Sequence, residues 1–182
     1  MNRFLRRVML FLFVFASAWS HAQPSEYLIK GVILEKLTRF VTWPESALNM
    51  EDTTQNFVLG VIGNNPFENL LEEIYRHQTI KDKPVEIRYL TALTQIDKCH
   101  LLFISNISTN NLKKVLNLVK DRPILSISDN ETYSGKGVMI NLKIEKSKVR
   151  IEIDERAIKT SDLLVSHLLL MEADIVNPIR GQ

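Results

Sequence analysis

A disulfide is the first thing this chain excludes. It contains one cysteine, Cys99, in 182 residues, so no intrachain bridge can form, and a thiol at the start of an apolar run reads as a small buried hydrophobe. Histidine is scarce too. Beyond residue 22 only His77, His100 and His167 occur, with no i,i+4 pair. A zinc site needs three or four convergent ligands, so no metal is expected. No serine sits in a Gly-x-Ser-x-Gly elbow. The one glycine between the first apolar run and the residues after it, Gly63, lacks both the dinucleotide spacing and a P-loop lysine. These absences leave no catalytic residue, no cofactor-binding residue and no metal ligand to name, and the reading is of a protein that is not an enzyme.

Acids are missing from the first 25 positions. Arg3, Arg6 and Arg7 stand there, followed by an apolar stretch from Val8 to Trp19 and the small-residue pattern Ser20-His21-Ala22. That is the layout of a signal peptide, with cleavage expected between Ala22 and Gln23. Residues 23–182 then form one domain. Three of the 23 basic residues lie in the leader, leaving 20 against 21 acidic ones. The basic pI therefore belongs to the leader, and no nucleic-acid footprint remains. No second stretch is long enough to span a membrane.

The mature chain is organised around Cys99-His100-Leu101-Leu102-Phe103-Ile104-Ser105. A run apolar on both faces and too short for a helix reads as a strand covered on both sides. Phe57–Ile62, Val85–Leu90 and Pro123–Ile127 resemble it, with helical patterns between some of them. Ser25 can cap a helix from Glu26 to about Phe40 that stops before Pro44. Asn65-Pro66 reads as another helix start, and Ser108 caps a third helix whose stripe is Leu112, Val115, Leu116 and Val119. From Val138 to Ile153 apolar and polar residues alternate, the mark of an antiparallel hairpin. Ser161 can cap a last helix with Leu163, Leu164, His167, Leu168 and Met171 on one side, where His167 reads as a partly buried core residue. The expected fold is a three-layer α/β sandwich: a mostly parallel sheet, an antiparallel C-terminal hairpin and helices on both faces.

In such sheets ligands bind beyond the carboxyl ends of the strands. Gly63, Asn64, Asn65, Ser105 and Asn106 occupy those positions and are the ligand-crevice candidates. A phosphoryl-accepting receiver domain would need carboxylates there to hold a cation through oxygens, and this chain has serine and asparagines. Arg39, Trp43, Pro44 and Tyr133 are the partner-contact candidates, because Trp, Tyr and Arg anchor interfaces. Trp43 suits a plug at the core edge equally well.

Several of these stretches together resemble the YfiR family of exported bacterial proteins. They are Glu26–Lys30, Phe40-Val41-Thr42-Trp43-Pro44, Gly60–Phe67, Cys99–Ser105, Pro123–Asp129, Gly137–Asn141 and Ile151–Ile153. The resemblance implies an α/β sandwich. It also implies a periplasmic regulator that binds the periplasmic part of an inner-membrane diguanylate cyclase and holds it inactive. Cyclic di-GMP, and with it adhesion and biofilm formation, rises when that brake is released. A homodimer is compatible with this reading. Relatives often carry a second cysteine where Gly60 stands, able to bridge to the one matching Cys99. Two further readings fit the same residues: a periplasmic small-ligand binding module, and an accessory factor in envelope assembly.

Overall fold

The computed structural model describes residues 26–177 apart from 53, 146 and 147. The leader, its cleavage position and the Ser25 cap lie outside the described residues. In chain order the elements are α1 (Glu26–Thr38), β1 (Val41–Thr42), β2 (Phe57–Ile62), α2 (Leu70–Tyr75), β3 (Thr79–Ile80), β4 (Lys83–Leu90), a 3-10 helix (Leu93–Lys98) and β5 (Leu101–Ile104). They continue with α3 (Thr109–Val119), β6 (Leu125–Ser128), a 3-10 turn (Glu131–Tyr133), β7 (Ile140–Glu145), β8 (Lys148–Asp154), α4 (Glu155–Lys159), β9 (Leu164–Val165), α5 (His167–Glu172) and β10 (Asp174–Val176).

Eight strands form the main sheet in the order β10-β8-β7-β6-β5-β2-β4-β3, and β1 pairs with β9 in a small antiparallel sheet. β4, β2, β5, β6 and β7 run parallel, and β8 returns antiparallel to β7 as the expected hairpin. β5 sits in the middle, as its two-sided apolar run requires. Its side chains alternate between two cores. Leu101 and Phe103 face one, with Phe57 and Leu59 of β2, Leu34 and Leu37 of α1 and Leu71 of α2. Leu102 and Ile104 face the other, with Ile96 of the 3-10 helix and Leu112, Val115 and Val119 of α3. The structure is thus the expected mostly parallel sheet with helices on both faces.

Two glycines set how closely these layers approach. A Cβ at Gly31 would lie 2.6 Å from Ile74 Cδ1, so α1 rests directly on α2, and the Tyr75 hydroxyl donates to the Gly31 carbonyl at 2.9 Å. A Cβ at Gly60 would lie 2.6 Å from Cys99 Sγ and within 3.3 Å of Leu90 and Leu102. The glycine on β2 therefore makes room for the Cys99 thiol beside it.

Local structure departs from the sequence expectation at two places. The helix expected at Asn65-Pro66 begins only at Leu70. Asn65 instead turns on itself, accepting from Phe67 N–H at 3.0 Å and donating to the Glu68 carbonyl at 2.9 Å, and Glu68 adopts φ 51°. The last helix is also shorter than expected. The Ser161 hydroxyl donates to the Ile158 carbonyl at 2.8 Å, Leu164 and Val165 pair with β1, and Ser166 caps α5 by accepting from Leu168 N–H at 3.3 Å. His167, expected in the core, is exposed as the first residue of α5.

The Gly60 contact generates a prediction. Gly60→Ala overpacks the site and should destabilise the fold by about 1–3 kcal/mol in chemical denaturation. Gly60→Cys, oxidised, should titrate with no free thiol, because the new Cβ is already against Cys99 Sγ. Unchanged stability of the alanine variant would refute the close contact.

Candidate functional site

At the amino ends of the central strands, His100 joins four segments. Its N–H donates to the Val58 carbonyl at 2.9 Å, and its carbonyl accepts from Leu125 N–H at 2.9 Å and from Trp43 Nε1–H at 3.2 Å. The ring lies against Phe57, with centroids 5.2 Å apart. Val58 N–H donates to Nδ1 at 2.9 Å, so that nitrogen carries no proton. Nε2 lies 3.1 Å from the Ala47 carbonyl and must therefore be the protonated one. Both ring nitrogens are committed, and burial lowers the His100 pKa. Trp43 is 6 % exposed and meets Phe57 edge-on.

Beside this knot lies a cavity of about 500 Å³, lined by Glu86, Arg88, Asp97, Cys99, His100 and Arg122 among others. Its charges are largely matched: Arg88 pairs with Glu86 at 2.6 Å, and Arg122 pairs with Asp97. The bond from Arg88 holds the Glu86 carboxyl below its usual range. Burial pushes the Cys99 thiol up to about 11, which leaves it protonated and a poor nucleophile at neutral pH. Sequence reasoning missed this cavity, because it looked to the opposite end of the sheet.

At that opposite end the chain order reverses between β2 and β5, the switch point where such sheets bind ligands. Gly63 and the Ser105–Asn106 backbone do come together there. A Cβ on Gly63 (φ 100°) would lie 2.8 Å from Ile107 Cγ2 and 3.1 Å from the Asn106 carbonyl oxygen. Ile107 thus fills space between the two loops. It is held by Tyr133, whose hydroxyl accepts from Ile107 N–H at 2.9 Å and donates to the Ile107 carbonyl at 2.7 Å. Ser105 is buried, whereas Asn64, Asn65 and Asn106 are exposed. Gly63 also lines a neighbouring cavity of about 280 Å³ with Leu90, Leu93, Ile107 and Asn111.

Farther along this end, Lys30 of α1 is 3 % exposed. It pairs with Glu26, with Asp129 after β6 at 2.7 Å, and sits 4.7 Å from the Tyr27 ring centroid. Burial works against the ammonium, but the bonds to Asp129 and Glu26 outweigh it and the Lys30 pKa is raised. This ion pair docks α1 onto the sheet. Losing Lys30 would leave the largely buried Asp129 carboxylate without its cation, an arrangement that costs about 3–5 kcal/mol.

The four partner-contact candidates therefore divide. Trp43 and Tyr133 are buried with their polar atoms bonded, Pro44 is half-buried, and Arg39 reaches the surface with 69 % of its side chain exposed while pairing with Glu35 at 2.7 Å. Next to Arg39 lies a surface that sequence reasoning missed. Phe40 (37 % exposed) bonds through its carbonyl to Ser166 N–H, and Leu164, Leu168 and Met171 are 71, 65 and 67 % exposed. The signal was present: Leu163, Leu164, Leu168, Leu169, Leu170 and Met171 are too many apolar residues for one stripe of a helix, and some had to point outward.

Among the described residues no group of three or more His, Cys, Asp or Glu converges as a metal site, and no helix is long and apolar enough to cross a membrane. A family model described as YfiR/HmsC-like matches residues 27–174. No curated protein matches the chain.

His100 generates a prediction. His100→Ala should cost about 2–4 kcal/mol, since it strips partners from Val58 N–H and the Ala47 carbonyl and empties a buried volume. The pH dependence has a definite sign. The folded pKa lies below the unfolded value, so the stability contributed by the neutral ring is present above the unfolded pKa and is lost as pH falls through the folded one. Thermal melts from pH 7 to 5 should therefore show a decline that flattens in His100→Gln. An equal decline in both proteins would contradict this assignment.

Proposed function

Because the chain belongs to the YfiR/HmsC-like family, we propose that it is a non-enzymatic regulator in the periplasm, exported by a cleaved leader. There it binds the periplasmic part of a membrane-bound diguanylate cyclase and holds it inactive, lowering cyclic di-GMP. The observation that carries the reading is the apolar surface formed by Leu164, Leu168 and Met171 beside Phe40 and Arg39. Water gains nothing from three large side chains each about two-thirds exposed, and clustered exposed apolar groups mark interaction surfaces. They lie on short elements: β9 has two residues and α5 six. Such elements bury little of their own surface, so a partner can reorganise or cover them at small cost.

The buried polar network supports the same reading from the other side. His100 and Tyr133 have their ring nitrogens and hydroxyl committed to backbone groups, which suits structural roles. Arg39, at the end of α1, adds a charged group at the margin of the apolar surface, as interface anchors often do.

The reading predicts a separation of folding from function. Leu168→Glu and Met171→Glu should melt within a few degrees of the parent, since both side chains are already in water. Each should lower capture of the cyclase's periplasmic part by at least tenfold and raise cyclic di-GMP in cells toward the level of a deletion. Full inhibition by the doubly substituted protein would refute this surface as the contact. Size measurement of the same variants separates partner binding from self-association: a dimer that dissociates in both variants would assign the surface to a homodimer.

A further inference from the structure

We propose that the cavity between the end of α3, the Gly135–Gly137 turn and α4 is a binding site for a small organic phosphate. It measures about 340 Å³. Lys120, Lys136 and Arg156 line it, and each comes from a different segment: the end of α3, the glycine turn and α4. Of the five other described arginines, Arg39, Arg88, Arg122 and Arg150 each hold a carboxylate, and Arg76 does not. Among the described residues none of Lys120, Lys136 and Arg156 does. Lys120 also meets the negative end of α3, which is ordinary for a helix terminus, but Lys136 stands in a turn with no helix to serve.

Asp154 is the carboxylate that lines this cavity, and it is already occupied. One of its oxygens accepts from Ala157 N–H at 3.1 Å, the other from Gly137 N–H at 3.2 Å and Asn177 Nδ2–H at 2.9 Å. It is 2 % exposed. These bonds hold the cavity wall together, and the three cations still outnumber the one carboxylate. Cations placed on three separate segments match a tetrahedral dianion, whose oxygens point in different directions, better than a planar carboxylate; Arg156 adds a fork suited to two of those oxygens.

The rest of the lining decides between an inorganic and an organic ligand. Leu116, Val119, Met139 and Ala157 give the cavity an apolar wall, which free phosphate would leave unused. The volume falls at the small end of the range for small-molecule sites, so the carbon body is small, of the order of one ring.

The test is calorimetric titration of the exported chain with phenyl phosphate, with inorganic phosphate and phenol as comparisons. Saturable one-site binding of phenyl phosphate, tighter than either comparison, is the expected result. Arg156→Ala and Lys136→Ala should each weaken it about tenfold, the effect of losing one charge-assisted contact. The double variant Lys113→Ala/Lys114→Ala, on the exposed side of α3, should bind like the parent. Should Arg156→Ala melt early, Arg156→Gln serves in its place. Absence of saturation, equal weakening by the Lys113/Lys114 variant, or inorganic phosphate binding as tightly as phenyl phosphate would each overturn the proposal. None of these results bears on the surface at Leu168 and Met171, so this site and the proposed inhibition stand or fall separately.

Discussion

The hydrogen-bonded knot at His100 is the constraint on which the rest of the sheet depends. A parallel sheet must align its strands without hairpins to set the register. Here one residue does much of that at the amino end. Backbone bonds of His100 fix β5 against β2 on one side and against β6 on the other, and its ring fixes β2 again through Val58. The same ring reaches the Ala47 carbonyl, and the His100 carbonyl accepts from Trp43 Nε1–H, so the turn after β1 is tied to the centre of the sheet. Apart from half-buried Ala47, the residues in this network are buried, where an unpaired donor or acceptor costs roughly 1–3 kcal/mol. Such a network is rigid because every member is satisfied, and it offers no free atom to a substrate.

The two faces of the sheet are fitted by complementary means. On one, Gly31 lets α1 lie on α2, and the buried Lys30–Asp129 pair orients α1 over the carboxyl ends of the strands. On the other, Gly60 admits the Cys99 thiol between Leu90 and Leu102. A cysteine there behaves as a small hydrophobe whose burial suppresses ionisation. The two positions touch, and with glycine on one side they meet as a packing contact.

Much of this was legible in the sequence because it depends on period and polarity. The two-sided apolar run at Leu101–Ile104 reads as a central strand, and the alternation from Val138 to Ile153 reads as a hairpin with a wet face. The stripe of α3 and the cap at Ser108 are equally local signals. What could not be read is set by distant partners. Asn65 and Ser161 have the chemistry of helix caps, but backbone bonds to Phe67, Glu68 and Ile158 drew them into turns. Pairing of β1 with β9 joins residues more than a hundred positions apart, and it cut the last helix short and turned Leu164, Leu168 and Met171 outward. Trp43 and Tyr133 were singled out as partner-contact candidates because they are large and amphipathic. Whether such a residue faces a partner or the core depends on whether its polar atom finds a buried acceptor, and both do.

These constraints narrow where regulation can act. The amino end is closed by His100 and Trp43, and the switch point at the carboxyl end is occupied by Ile107 under the Tyr133 hydroxyl. The groups that close these two ends are buried and already bonded, so a change that unmade their bonds would leave polar atoms unpaired. The edge formed by β1, β9 and α5 is different. Its strands have two residues each, its helix has six, and its largest side chains already face water. Covering them releases apolar surface from water while leaving the central network intact. A fold with a rigid, fully bonded centre and a thin apolar rim is therefore suited to recognising another protein, because contact at the rim neither requires nor disturbs the interactions that hold the sheet in register.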